Sequence, residues 1–294
     1  MQILSGEKLK RASLSKITIL FLIAVVLAMP FLLTACGKKD KVQVVNVKLT
    51  SEEYALCVNR TDSAMLAKIN DFLIEIKSNG TFNKIVARYF GSGTPQGVKS
   101  APQNADNALV VVTSADFAPF EYMIDDVYYG LDIEIAAAFA KKLGRKLVIK
   151  NVVFESVFYE LQMGHADVAI SAVSVVEERK NLVTFSNSYY YAGQVIMTRA
   201  GDKTFAHCST KEDVEAVLRG MDETKKIGYQ FGTSAYYYLF AKSSEYNECF
   251  PLTGVGFDNV TDAANAMLSG EVDYIMLDAG AANAIAQQYN SKKK

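Results

Sequence analysis

From Leu109 to Tyr289 short apolar runs alternate with amphipathic stretches, and this alternation leaves few folds open. Residues 109–112 read as a buried strand, 132–143 as an amphipathic helix ended by Gly144, and 147–154 as a strand. Residues 157–163 read as a helix ended by Gly164, and 167–171 as a strand. A second set comes after these: helix 214–219, strand 226–230, helix 234–242, strand 251–255, helix 261–268, strand 273–277 and helix 279–289. Strands alternating with helices predict mostly parallel sheets with helices on their faces. Two such sets predict two α/β lobes. Ligands of open α/β sheets bind beyond the carboxyl ends of the strands, so a site is expected where two such edges face each other.

The residues upstream carry their own pattern. Residues 41–47 and 54–58 read as strands. Between 62 and 77 the apolar positions Met65, Leu66, Ile69, Phe72, Leu73 and Ile76 form a helical stripe that stops at Asn79-Gly80. A shorter helix is expected over 82–90. Residues 91–107 are mostly Gly, Ser, Pro, Gln and Asn with a single Val, the composition of a linker.

The first residues do not belong to this core. Lys8, Lys10, Arg11 and Lys16 precede an apolar run over 17–33, which leads into Leu33-Thr34-Ala35-Cys36. A basic start, an apolar core and small residues before a cut site read as an export signal. A membrane-spanning signal anchor is the alternative, since the run almost suffices to cross a bilayer. Leu-Thr-Ala-Cys resembles the lipobox of bacterial lipoproteins, which implies that Cys36 is acylated and begins the mature chain. Several acyl chains on one residue anchor stably where one does not.

Of 31 basic and 32 acidic residues, four basic and one acidic precede Cys36, so the chain from Cys36 onward is mildly acidic. No basic block stands outside the signal, which argues against nucleic acid as a partner. Cys57 sits in an apolar run and reads as a small buried hydrophobe. Cys208 and Cys249 could pair outside the cytoplasm. His207 beside Cys208, without a second cluster, is a weak metal signal, and no metal or cofactor is expected.

Several stretches together resemble one family. Residues 109–122 (LVVVTSADFAPFEY) look like the first strand and loop of the family 3 extracellular solute-binding proteins that bind amino acids. Gly130-Leu131-Asp132-Ile133-Glu134 resembles that family's G-x-D-x-[DE] helix start. Residues 154–179 match the stretch ending in the ligand-binding Arg. Phe185-Ser186 with Tyr189-Tyr190 match F-S-x-x-Y-Y, Gly228 to Ser234 a turn of the second lobe, and Asp273 to Asp278 a D-x-x-x-x-D strand. The order differs. Residues 42–90 resemble the return strand and C-terminal helices, which in the family come last. The resemblance therefore implies an α/β, two-lobe periplasmic-binding-protein-like fold (type II), circularly permuted. Lobe 1 would comprise 51–91 and 108–196, lobe 2 42–50 and 197–290, joined by a linker over 92–107 and preceded by a signal and acylated Cys over 1–36. A relic of a second, truncated binding domain is the alternative, but it would leave 109–290 without its own return strand and terminal helices. The 17 residues of 91–107 reach at most roughly 56–61 Å extended, or about 20–25 Å as a coil. Either span suffices to join two termini on one lobe.

The resemblance also implies a site. A free amino acid carries a carboxylate and an ammonium on one carbon, and a pocket that buries both must satisfy both. Arg179 is the expected carboxylate partner, because a guanidinium fork matches two carboxylate oxygens. The turn at Gly232, with Thr233 and Ser234, would add backbone N–H donors. Asp278 would hold the ammonium, with Ser174 Oγ and the Ala172 carbonyl completing the acceptors. Phe117 and Phe154 would form apolar walls, and Ser114 and Gln230 would set specificity. Basic-amino-acid binders of this family often carry an acid where Ser114 stands. Its absence leans the reading toward a small or polar side chain, with Asp116 or Glu121 as substitutes.

The function implied is an extracytoplasmic, lipid-anchored, monomeric binding protein that delivers a free L-amino acid to the permease of an ABC importer and is not an enzyme. Two other classes stay open. Some dehydratases use this scaffold, and Asp116 or Glu121 could act as a general acid. A ligand-sensing domain acting through a partner would also fit. His165 and His207 lie in polar turns, and no nucleophile–base pair is visible.

Overall fold

Among the described residues two five-stranded sheets carry the protein, and in each four strands run one way and one runs against them. A computed structural model describes residues 41–241 and 249–291. The expected signal, Cys36 and the end of the helix expected over 234–242 lie outside these residues. Among the described residues no helix is long and apolar enough to cross a membrane.

In the first lobe Ala108–Thr113 lies between Lys146–Asn151 and Val168–Ala169, parallel to both. Cys57–Val58 and Thr184–Phe185 extend this sheet antiparallel. Helix Leu131–Leu143 packs against helix Ser63–Ser78, with the Phe72 and Phe139 rings 5.1 Å apart. Asp62 caps Ser63–Ser78 by accepting the Met65 N–H at 2.9 Å, and the helix buries Met65, Ile69, Phe72, Leu73 and Ile76 of the stripe expected from periodicity, while Leu66 is half-buried.

In the second lobe Lys226–Gln230 lies between Thr253–Phe257 and Tyr274–Asp278, parallel to both. Gln194–Arg199 pairs antiparallel with Tyr274–Asp278, and Val42–Val45 pairs antiparallel with Gln194–Arg199, Val45 opposite Ile196. The segment 42–90 thus supplies a strand to each sheet.

Two extended stretches cross between the lobes as an antiparallel pair, Glu52–Tyr54 beside Tyr190–Ala192. The single strand expected over 54–58 is therefore two short ones. The chain leaves the crossing pair at Tyr54 and joins the first-lobe sheet only at Cys57.

The linker is no free coil. Val98 and Tyr128 exchange backbone hydrogen bonds at 2.8 and 2.9 Å. Ala101 N–H donates to the Leu147 carbonyl at 2.8 Å, and Ser100 Oγ accepts the Ile149 N–H at 2.9 Å. Lys146–Asn151 is the sheet's edge, and an edge strand carries unpaired backbone groups that need cover. A polar, side-chain-poor segment lies flat against such an edge.

Candidate ligand-binding site

The carboxyl ends of the parallel strands of both lobes turn toward one cavity of about 310 Å³. Ser114 follows Ala108–Thr113, and Ala172 and Ser174 follow Val168–Ala169. Gln230 and Asp278 end their strands in the second lobe, and Thr233 and Ser234 start helix Ser234–Phe240. All ten residues singled out from sequence line this cavity: Ser114, Phe117, Phe154, Ala172, Ser174, Arg179, Gln230, Thr233, Ser234 and Asp278. Asp116, Glu121 and Ser171 line it as well. The sequence reading raised the two acids only as substitutes or general acids, and Ser171 not at all.

Arg179 is 2% exposed. Its guanidinium lies over the rings of Phe154 and Phe158, 5.6 and 5.2 Å from their centroids. It donates to the Ser174 carbonyl of its own lobe and to the Gly232 carbonyl of the other, each at 2.7 Å. Burial pulls its pKa down, opposed by the fields of Tyr237 and Glu52. A guanidinium has five N–H donors. Among the described residues no carboxylate lies within 4.0 Å of it. Buried charges are ordinarily paired, so this one offers its remaining donors to an anion.

Asp278 stands on the facing lobe and is 6% exposed. It accepts from Tyr54 Oη and, at 2.8 Å, from Gln194 Nε2. Burial, then the charge of Glu52, pushes its pKa up to about 8, and the two hydrogen bonds only partly offset this. A cation placed beside it would restore the ionised form.

Behind these residues lies Glu52, 4% exposed and absent from the sequence-based set. Its Oε2 accepts from Ser174 Oγ of the first lobe at 2.5 Å and from Ser234 Oγ of the second at 2.8 Å. Its Oε1 accepts from Thr50 Oγ1 at 2.6 Å. Gln194 Nε2 donates to Ser234 Oγ at 3.1 Å as well as to Asp278. The strand buries residues 52 and 54 on one face and exposes 53, a placement that no local sequence signal announces.

Residues 109–290 match the bacterial extracellular solute-binding proteins, family 3. The chain belongs to that family. It is 35% identical over 100 residues to the arginine-binding extracellular protein ArtP of Bacillus subtilis, a stretch that is 34% of this chain and 39% of that protein. It is similar to the solved structure of holo ArgBP from T. maritima, with a TM-score of 0.53 and 32% identity, over 63% of this chain and 74% of that one. A cyclohexadienyl dehydratase of Pseudomonas aeruginosa is 29% identical over 108 residues, covering 36% of this chain and 40% of that enzyme. The chain thus spans less than half the length of these two curated relatives. The fold is the two-lobe type II fold of these structural neighbours.

Within the family 3 frame, G-x-D-x-[DE] turns out to be a support for the site. A Cβ on Gly130 would lie 1.9 Å from the Phe120 carbonyl oxygen, at a φ of +131°, so only glycine lets the chain enter helix Leu131–Leu143 there. Asp132, fully buried, accepts the Ala172 N–H at 2.7 Å and the Tyr189 hydroxyl at 2.8 Å. It thereby holds Ala172 at a φ of +45°, a left-handed conformation unusual for alanine, where that residue lines the cavity. Glu134 accepts from Arg88, from Tyr89 Oη at 2.7 Å and from Gln96 N–H at 3.1 Å, which ties helix Thr81–Phe90 and the linker to the lobe.

Glu121, which lines the cavity, forms a buried carboxyl pair with Asp132. Ser171 Oγ donates to Glu121 Oε1 at 3.0 Å, while Glu121 Oε2 has no donor facing it. Burial raises both pKa values, and the Asp132 charge raises that of Glu121 further. Asp132 holds the N–H and O–H donors, so the shared proton sits on Glu121. Below the ordinary carboxylate range of about pH 4 these groups are protonated in folded and unfolded chains alike. As the pH rises the unfolded chain releases its protons while the folded pair keeps one, so folding stability falls. Glu121→Gln should flatten this loss between about pH 5 and pH 8, measured by urea unfolding at a series of pH values. An unchanged slope would remove the pair from the account.

Proposed function

We propose that this protein captures a free L-amino acid between its lobes and delivers it to an ABC importer. The observation that carries the reading is the pair of buried charges on opposite walls of one cavity. Arg179 has no carboxylate within 4.0 Å among the described residues, and Asp278 no basic group. The α-carboxylate goes to Arg179 and the backbone N–H groups of the turn at Thr233 and Ser234, and the α-ammonium to Asp278, the hydroxyl oxygens of Ser174 and Ser234, and the Ala172 carbonyl. Phe117 and Phe154 flank the carbon skeleton. The side chain extends toward Ser114, Asp116 and Gln230. Burial pushes the Asp116 pKa up to about 6, and a donor or cation on the ligand would return that carboxylate to its charged form. A side chain ending in N–H donors therefore suits the cavity, and a relative bears the name arginine-binding. Asp116 and Glu121, the acids that a dehydratase-like reading would use, line the cavity too, so the fate of the ligand separates capture from chemistry. Bound ligand should be recovered unchanged.

The chain order is best read as a circular permutation. Residues 42–90 lie outside the matched family stretch, yet Val42–Val45 and Cys57–Val58 each complete a sheet of it. Lipid anchoring at Cys36 would then hold the protein through a tether of few residues leading to Val42 in the second lobe.

Three measurements test this reading. Isothermal titration with the amino acid that most stabilises the protein in a thermal-shift screen should lose on the order of 30-fold to several-thousand-fold in affinity for Arg179→Ala and for Asp278→Asn. The double variant should lose less than the product, because either change already breaks the bridge. Near-native affinity in Arg179→Ala would take the α-carboxylate out of the reading. A chain reordered so that 42–90 follows 291 should fold and bind as the original does; a reordered chain that unfolds argues for the truncated-relic alternative. Cys36→Ala should release the protein from membranes in fractionation, and retention with an N-terminus at Met1 would favour the signal anchor.

A further inference from the structure

A hydroxyl has one proton and two lone pairs, and what it offers a ligand depends on where that proton already points. Ser174 Oγ and Ser234 Oγ lie 2.5 and 2.8 Å from the same oxygen, Glu52 Oε2. A carboxylate only accepts, so each serine spends its proton on Glu52. Ser234 Oγ receives in addition a donor from Gln194 Nε2, whose other bond goes to Asp278 Oδ2. Two shared atoms thus draw three oxygens together: Glu52 Oε2 joins Ser174 to Ser234, and Gln194 Nε2 joins Ser234 to Asp278. All three residues line the cavity, two from the second lobe and one from the first.

We propose that Glu52 is a positioning residue which sets the polarity of this end of the cavity, turning Ser174 and Ser234 into acceptors and so making the subsite select a primary ammonium. The proposal rests on the amino-acid reading and deepens it. Three acceptors match the three N–H donors of an ammonium. A carboxylate would meet lone pairs there and be repelled, and a hydroxyl, with one proton, would answer only one of the three acceptors. Because Glu52 belongs to the crossing strand Glu52–Tyr54 and bonds a serine of each lobe, the subsite is complete only when the lobes are together.

Glu52→Gln tests this. An amide at this position donates to one serine, whose own proton then turns toward the cavity. The readout is discrimination: the Kd ratio between an L-amino acid and the same acid with hydrogen in place of its α-amino group. L-arginine, L-histidine and L-glutamine serve as probes, each with its des-amino carboxylate. The wild-type protein should prefer the amino acid by at least about 100-fold. Glu52→Gln should cut that ratio at least about tenfold, by weakening the amino acid and sparing the des-amino acid. In a Ser174→Ala, Ser234→Ala background the same change should leave the ratio alone, since no hydroxyl remains to orient. Equal weakening of both ligands by Glu52→Gln would reduce Glu52 to a structural role and overturn the proposal. So would a full effect persisting in the alanine background, which would mean that the charge acts directly. If Glu52→Gln fails to fold, Ser174→Ala with Ser234→Ala carries the test alone: it must lower the ratio, and an unchanged ratio overturns the proposal. A wild-type protein that binds none of the three amino acids defeats the amino-acid reading for these ligands and this proposal with it.

Discussion

A guanidinium taken out of water costs several kcal/mol unless its surroundings answer the charge, and Arg179 is answered only in part by its own protein. Two carbonyls and two aromatic faces surround it. One carbonyl belongs to each lobe, so the side chain spans the cleft as well as lining it. Its position comes from a short turn, Glu177–Arg179, which throws the third residue inward while Glu177 stays exposed and pairs with Lys180. Geometry at this point sets conditions elsewhere. The lobes must approach closely enough for Gly232 to accept, and the strands beneath must end where their carboxyl edges face one another.

Those conditions are met by few covalent connections. The crossing pair Glu52–Tyr54 and Tyr190–Ala192 carries the chain between lobes, and the first of these strands also serves the site. Glu52 holds a serine of each lobe, and Tyr54 donates to Asp278. Hinge and site therefore share residues. A domain motion that opened the cleft would separate Ser174 from Ser234 and Arg179 from Gly232.

Much of this was legible in the sequence, and the parts that were not share a cause. The helical stripe of Met65, Ile69, Phe72, Leu73 and Ile76 and the alternating strands state their burial in their own periodicity. The residues for the cavity came from motifs, and all ten line it. Glu52 was missed because nothing local says that the strand buries the first of two adjacent glutamates while exposing the second. Composition marked 91–107 only as a linker, coiled or extended, but its order comes from an edge strand roughly 50 residues downstream in sequence that needed backbone partners. Strand Gln194–Arg199 escaped notice although its Val195, Ile196 and Met197 run is buried on both faces, because the Tyr-rich stretch before it obscured where the chain changes lobe. In each case the deciding contact lay far along the chain.

The charge balance explains why a zwitterion suits this cavity better than a simple acid or amine. Arg179 contributes one positive charge, Asp278 stands on the facing lobe and Glu52 lies behind them, with burial already favouring the protonated form of Asp278. A simple carboxylic acid would answer Arg179 and leave Asp278 either protonated or uncompensated. A simple amine would answer Asp278 and leave the guanidinium facing only carbonyls and rings. Each half-match keeps one buried group unpaired, at a cost of about 1–3 kcal/mol for a polar group and more for a charge. An amino acid answers both with no net charge added. The distance between its two charged groups is fixed by a single carbon, so both walls can be satisfied only when they stand at the separation of the closed cleft. The ligand's own covalent geometry thereby becomes the measure of closure.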